Sequence, residues 1–160
     1  MRSKVLVVAL LLMTMSAVVY PSRLVAQDTK KAAEDMPAEI VRLINEYRVG
    51  KGLTPLKSNY YITAAAIQHS RDMATQEVPF GHDGFDSRMA KLSKKVHPAN
   101  AFGENVAEGP TSAKEVVDMW LGSEGHRKNI EGKYTLTGIG IVKGADGKNY
   151  FTQIFVYQSK

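Results

Sequence analysis

The sequence predicts an α+β domain with its helices first and its strands last. Three observations carry this. Apolar residues recur at helical spacing from Ile40 to Leu121; two β-rich runs, Leu136 to Val142 and Tyr150 to Tyr157, follow them; and Gly144-Ala-Asp-Gly147 between the runs has Asp-Gly hairpin chemistry. Helices that fill the first two thirds and strands that fill the last third fit a layered α+β domain. With 160 residues, 44% of them hydrophobic and 8% aromatic, the chain has room for one domain with an ordinary core.

The N-terminus is read apart from that domain. Arg2 and Lys4 precede an apolar run from Val5 to Met13 that continues to Val19, interrupted only by Thr14 and Ser16. This is the composition of a secretory signal peptide, and Leu24-Val25-Ala26 before Gln27 offers the cleavage site, so residues 1–26 are assigned to it. An uncleaved anchor is the weaker alternative, because the run is near the short limit for spanning a bilayer. Residues 27–36, rich in Lys, Asp and Glu, read as a solvated leader, and 37–160 as the domain.

Export changes the charge. Cleavage removes Arg2, Lys4 and Arg23 and no acid, so the formal net charge falls from +5 to +2. Without basic blocks or basic-aromatic interleaving, nucleic acid is excluded as a partner. The absence of cysteine excludes disulfide stapling, thiolate catalysis, cysteine zinc sites and lipid anchoring through an N-terminal cysteine. The mature protein is therefore expected in the secreted or periplasmic space, as a monomer with no stable membrane insertion.

The elements follow in order. Pro37 suits the first turn of a helix whose buried face is Ile40, Leu43, Ile44 and Tyr47, and Gly50 and Gly52 stop it. A second helix begins near Ser58 or Asn59 and aligns Ile62, Ala65, Ala66, His69 and Met73, its alanines implying close approach to a neighbour. His69, on that apolar face, reads as a buried, hydrogen-bonded core histidine. After Pro79 and Gly81, His82 stands in a turn, and Phe85 opens a shorter helix with Phe85, Met89, Leu92 and Val96 on one face. His97 beside Pro98 reads as an exposed loop residue. Ser112 and Glu115 form a Ser-x-x-Glu capping box for a helix that buries Val116, Val117, Trp120 and Leu121. Ser123, between Gly122 and Gly125, is expected to cap a short last helix carrying His126, Arg127 and Asn129.

Three glycine-flanked polar stretches hold the candidate chemistry: Phe80-Gly-His82, Phe102-Gly-Glu104-Asn105 and Gly125-His126. Two imidazoles and a carboxylate are a donor set for catalytic zinc, with water completing the shell. Glu104 and His126 are the catalytic candidates, and three solvent-facing loop residues are the alternative. The usual signatures are absent: Ser123 lacks a Gly-x-Ser-x-Gly elbow, and there is no His-Glu-x-x-His or phosphate-binding glycine loop.

At these residues the chain resembles a family. Phe80-Gly-His82, Phe102-Gly-Glu104-Asn105, Trp120 with Ser123-x-Gly-His126-Arg-x-Asn129-Ile130, Gly138-Ile-Gly140 and Tyr150-x-Thr-Gln153-x-Phe155 together look like the bacterial branch of the CAP superfamily. That superfamily comprises cysteine-rich secretory, antigen five and plant pathogenesis-related proteins. Asn45-x-x-Arg48 and Gly52-Leu-x-Pro-Leu56 extend the resemblance over roughly Pro37 to Tyr157. It implies a three-layer α-β-α sandwich with a central antiparallel sheet, and a cleft that in some members binds a divalent metal.

Of the two His and two Glu of the eukaryotic cleft, His82 and Glu104 match the first of each. Ser123 and Tyr150 stand where the second Glu and second His would be, and His126 takes the vacated space. The resemblance thus implies a ligand set of His82, Glu104 and His126, with Asn105, Ser123 and Tyr150 around it and zinc as the first choice of metal. The leading expectation is a binding module for a divalent metal or a small apolar or cell-wall-derived ligand. The alternatives are a metal-assisted hydrolase and a structural secreted domain with no catalytic role; the fold alone implies no reaction.

Overall fold

The computed structural model of the protein describes residues 22–159, with side chains described from Met36 onward. The greater part of the assigned signal peptide, residues 1–21, lies outside the described residues. Five helices run in the order α1 (Ser22–Gly50), α2 (Tyr60–Ala74), α3 (Phe85–Ser93), α4 (Ala113–Gly122) and α5 (Glu124–Glu131). Four strands accompany them: β1 (Lys57–Ser58), β2 (Ala99–Glu108), β3 (Leu136–Lys143) and β4 (Asn149–Gln158).

The sheet order is β1-β3-β4-β2. β3 and β2 flank β4 in antiparallel register, and only the two-residue β1 is parallel to its neighbour. The period-two alternation of β4 assigns the layers. Phe151 and Phe155 join Ile40 and Ile44 of α1, Val116, Val117 and Trp120 of α4, and Ile130 of α5. Ile154 and Val156 turn the other way, onto Ile62 and Ala66 of α2 and Met89 and Leu92 of α3. The molecule is thus the α-β-α sandwich, with α1, α4 and α5 on one face of the sheet and α2 and α3 on the other.

Close approach of α2 is built into β3. A Cβ at Gly138 would collide with the backbone of Ile62 and Thr63, and one at Gly140 with that of Ala66. The alanines of α2 and the glycines of β3 are two halves of one contact. At its start α2 is capped by Asn59, whose side chain accepts the amides of Tyr61 and Ile62. The Ser112–Glu115 capping box forms as expected.

Three expectations change. α1 begins at Ser22 and not at Pro37, so the leader 27–36 is helical; its Ala, Lys, Glu and Asp composition tolerates a helix, and Pro37 removes a single amide donor. Residues 103–106, read as turn-like, lie inside β2. The Gly-Glu-Asn sequence hides that strand, because two polar side chains occupy positions that the fold buries. Ser123 does stand at the N-cap of α5, but its hydroxyl makes no capping hydrogen bond.

Trp120 is fully buried and donates its indole N–H to the Val106 carbonyl at 3.2 Å, which joins α4 to β2. Trp120→Ala is expected to cost roughly 3–5 kcal/mol by chemical denaturation; a loss under about 1 kcal/mol would show that this contact is not part of the core.

Candidate functional site

The site is built on one step of β2. Glu104 pairs with Ile154 and Asn105 with Gln153, so alternation sends their side chains to opposite faces of the sheet. Glu104 meets the α2 and α3 layer, whereas Asn105 meets α5. β2 is the outer strand at this end of the sheet, and the cleft therefore crosses its edge.

Glu104 is almost wholly buried, its side chain 1% exposed. Arg88 of α3 answers the charge: Nη2 donates to Oε1 and Oε2 at 2.8 Å each, and Nε donates to Oε2 at 3.1 Å. Arg88 Nη1 donates to the Asp83 carbonyl at 2.8 Å, fixing the loop that carries His82. His82 Nδ1 lies 2.9 Å from Glu104 Oε1. A carboxylate accepts, so Nδ1 carries the proton and Nε2 is left for other partners. The His82 side chain is 52% exposed, and among the described residues its Nε2 has no partner.

His69 is the core histidine that its apolar helical face predicts, and it makes a contact that the sequence did not predict. It is fully buried, donates from Nε2 to the Gly81 carbonyl at 2.8 Å, and approaches Glu104 Oε1 at 3.8 Å. Its Nδ1 has no partner among the described residues. Burial is the main cause that holds its pKa below the usual value of 6.5; nearby Arg88 acts in the same direction, against the Gly81 hydrogen bond and the Glu104 charge.

Across the edge, Asn129 donates to the Glu104 carbonyl at 3.0 Å and to Asn105 Oδ1 at 2.9 Å, and Asn105 donates to the His126 carbonyl at 3.2 Å. These bonds seat α5 on β2. The ring of His126 buries Nδ1 without a partner among the described residues. Burial first, then proximity to His82, pushes the pKa of His126 below 6.5.

The structure therefore joins His82 to Glu104 directly and brings His126 near His82 from the other layer. It does not join the three in one hydrogen-bonded set. Asn105 braces α5 as a neighbour of the site. Tyr150 turns its hydroxyl to Asp146 in the hairpin at 2.9 Å, and Ser123 makes no side-chain hydrogen bond. Among the described residues, neither makes a hydrogen bond to Glu104. Arg88 and the contact of His69 were missed. A buried strand carboxylate demands a cation, and that signal was unreadable while residues 103–106 passed for a turn.

A divalent ion does not fit these residues as arranged. Both oxygens of Glu104 are bound by a guanidinium, whose fixed charge opposes a second cation. Among the described residues, no group of three or more His, Asp and Glu is placed to hold a metal ion.

Comparison with known proteins agrees with this architecture. The model of the CAP, or cysteine-rich secretory protein, family matches residues 41–155. Bacillus subtilis (strain 168) YkwD is 32% identical over 121 residues, which cover 74% of this chain and 46% of that protein. The membrane protein YlbC of the same organism is 31% identical over 79% of this chain and 36% of its own length. The chain thus spans less than half the length of these relatives. Among solved structures, an SCP-domain extracellular protein of Bacillus anthracis superposes with a TM-score of 0.68 at 28% identity, over 78% of this chain and 41% of that one. An outer surface protein of Borrelia burgdorferi shares the fold, with a TM-score of 0.69 at 22% identity over 79% and 94% of the two chains.

The histidines give the site a pH signature. With folded pKa values below 6.5 for His69 and His126, the unfolded chain takes up protons first, so stability is complete above 6.5 and lost as pH falls below it. The unfolding midpoint should be level above pH ~7 and decline on acidification through 6.5, with a shallower decline in His69→Gln. A midpoint that rises on acidification in this range would contradict the assignment.

Proposed function

This chain belongs to the CAP family of cysteine-rich secretory proteins, and we propose that it acts outside the cytoplasm as a binding module for a small ligand derived from the cell wall. One observation carries the reading. The Glu104–Arg88–Asn105–Asn129 network is satisfied internally, yet the His82 imidazole beside it keeps unspent hydrogen-bonding capacity at the surface. The His82 ring is half exposed, and its Nε2 has no partner among the described residues. A ligand rich in hydroxyl and amide groups, such as a peptidoglycan glycopeptide, supplies a donor for that nitrogen.

Two observations support a place outside the cytoplasm. The N-terminus has the cationic and then apolar composition of an export signal. The similar Bacillus anthracis protein is described as extracellular.

The hydrolase alternative asks Glu104 to bind metal or activate water, and Arg88 already holds both of its oxygens. The structural alternative has one observation in its favour, since Glu104, Arg88, Asn105 and Asn129 brace two layers by bonding to one another. It accounts for those four residues and leaves the exposed His82 nitrogen unexplained.

Titration of the exported chain with soluble peptidoglycan glycopeptides, followed by NMR, tests the proposal. Saturable shifts should centre on His82 and His126, and His82→Ala should weaken binding tenfold or more, about 1.4 kcal/mol. Equal affinity in the variant, or no saturation in either protein, would refute it.

A further inference from the structure

Arg48, near the end of α1, is 2% exposed and has no carboxylate partner among the described residues. Its guanidinium is answered by backbone dipoles alone. Nε donates to the Thr54 carbonyl at 2.9 Å, Nη1 to the carbonyls of Ile130 and Gly132, and Nη2 to that of Tyr134 at 3.3 Å. A guanidinium has five N–H donors, so four bonds leave one Nη2 hydrogen free. Burial of a cation without an anion is costly, and carbonyl dipoles offset only part of that cost.

A pocket of ≈ 240 Å³ opens beside this group. Its lining includes Arg48, Thr54, Lys133, Thr135 and Tyr157, and no acidic residue. Lys133 is exposed and, among the described residues, has no anionic partner. Two cations, Arg48 and Lys133, thus line one pocket. None of these residues belongs to the cleft around Glu104.

We propose that this pocket is an anion site for a dianionic phosphate group, free or carried on a small phosphomonoester. Arg48 supplies a fixed, preoriented donor at the pocket floor, and Lys133 supplies a mobile second charge at the mouth. A dianion satisfies both cations, whereas a monocarboxylate satisfies one. The site is independent of the proposed wall-ligand cleft and stands or falls apart from it.

The experiment is an NMR titration of the full chain with inorganic phosphate at constant ionic strength, read at Arg48 Nε–H and the amides of Gly52 and Lys133. Parallel titrations use phenyl phosphate, sulfate and acetate. Phosphate should shift these three resonances along one saturable curve, and acetate should bind at least tenfold more weakly. Saturation by phosphate alone identifies the free ion as the ligand, and saturation by phenyl phosphate as well admits a phosphomonoester. Lys133→Ala, a surface change that leaves the Arg48 hydrogen bonds in place, should weaken phosphate several-fold. Linear shifts without saturation, acetate equal to phosphate, or a Lys133→Ala variant with unchanged affinity would each overturn the proposal.

Discussion

A carboxylate placed almost out of solvent on an edge strand sets the terms for the rest of this molecule. Left alone, Glu104 would cost several kcal/mol in desolvation, and the fold answers it with a bidentate guanidinium from α3. That one ion pair draws α3 onto β2, and through Asp83 it draws in the loop that presents His82. The next residue, Asn105, faces the other way and ties α5 to the same strand through Asn129 and the His126 carbonyl. Two adjacent residues thus hold both helical layers at the open edge of the sheet and protect that edge from pairing with another chain.

The chemistry of the cleft follows from this arrangement. The guanidinium that makes the buried carboxylate tolerable also removes it from service as a metal ligand or base. Beside that pair the His82 ring is half exposed, and the buried Nδ1 atoms of His69 and His126 have no partner among the described residues. A buried nitrogen left without a hydrogen bond costs stability, which marks the surroundings of Glu104 as a candidate functional site.

Much of the fold was legible in the sequence because it rests on periodicity. The stripes Ile40–Ile44, Ile62–Ala66–Met73 and Val116–Val117–Trp120 lie on the faces that the fold buries, and the Gly144–Gly147 hairpin joins the strands it was read to join. β2 escaped because its central residues are polar, and they are polar because they carry the site. The pairing of His82 with Glu104 was legible through the family resemblance. Arg88 was not: it lies sixteen residues from its partner on a helix whose apolar face alone gives a pattern. Tyr150 was assigned to the site by position in a motif, whereas Asp146, four residues away in the hairpin turn, takes its hydroxyl. The start of α1 was misplaced because a proline that suits a first turn is also tolerated, at some cost, further in.

The central claim is that the Arg88–Glu104 pair, and not apolar packing alone, fixes the site at the sheet edge. A double-mutant cycle on unfolding free energy measures it most directly, with Arg88→Ala, Glu104→Ala and the double variant. Each single change leaves a buried charge or its partner uncompensated, so the double variant should be more stable than the sum of the two losses predicts, by about 1–3 kcal/mol. Losses that add to within about 0.5 kcal/mol would contradict the account.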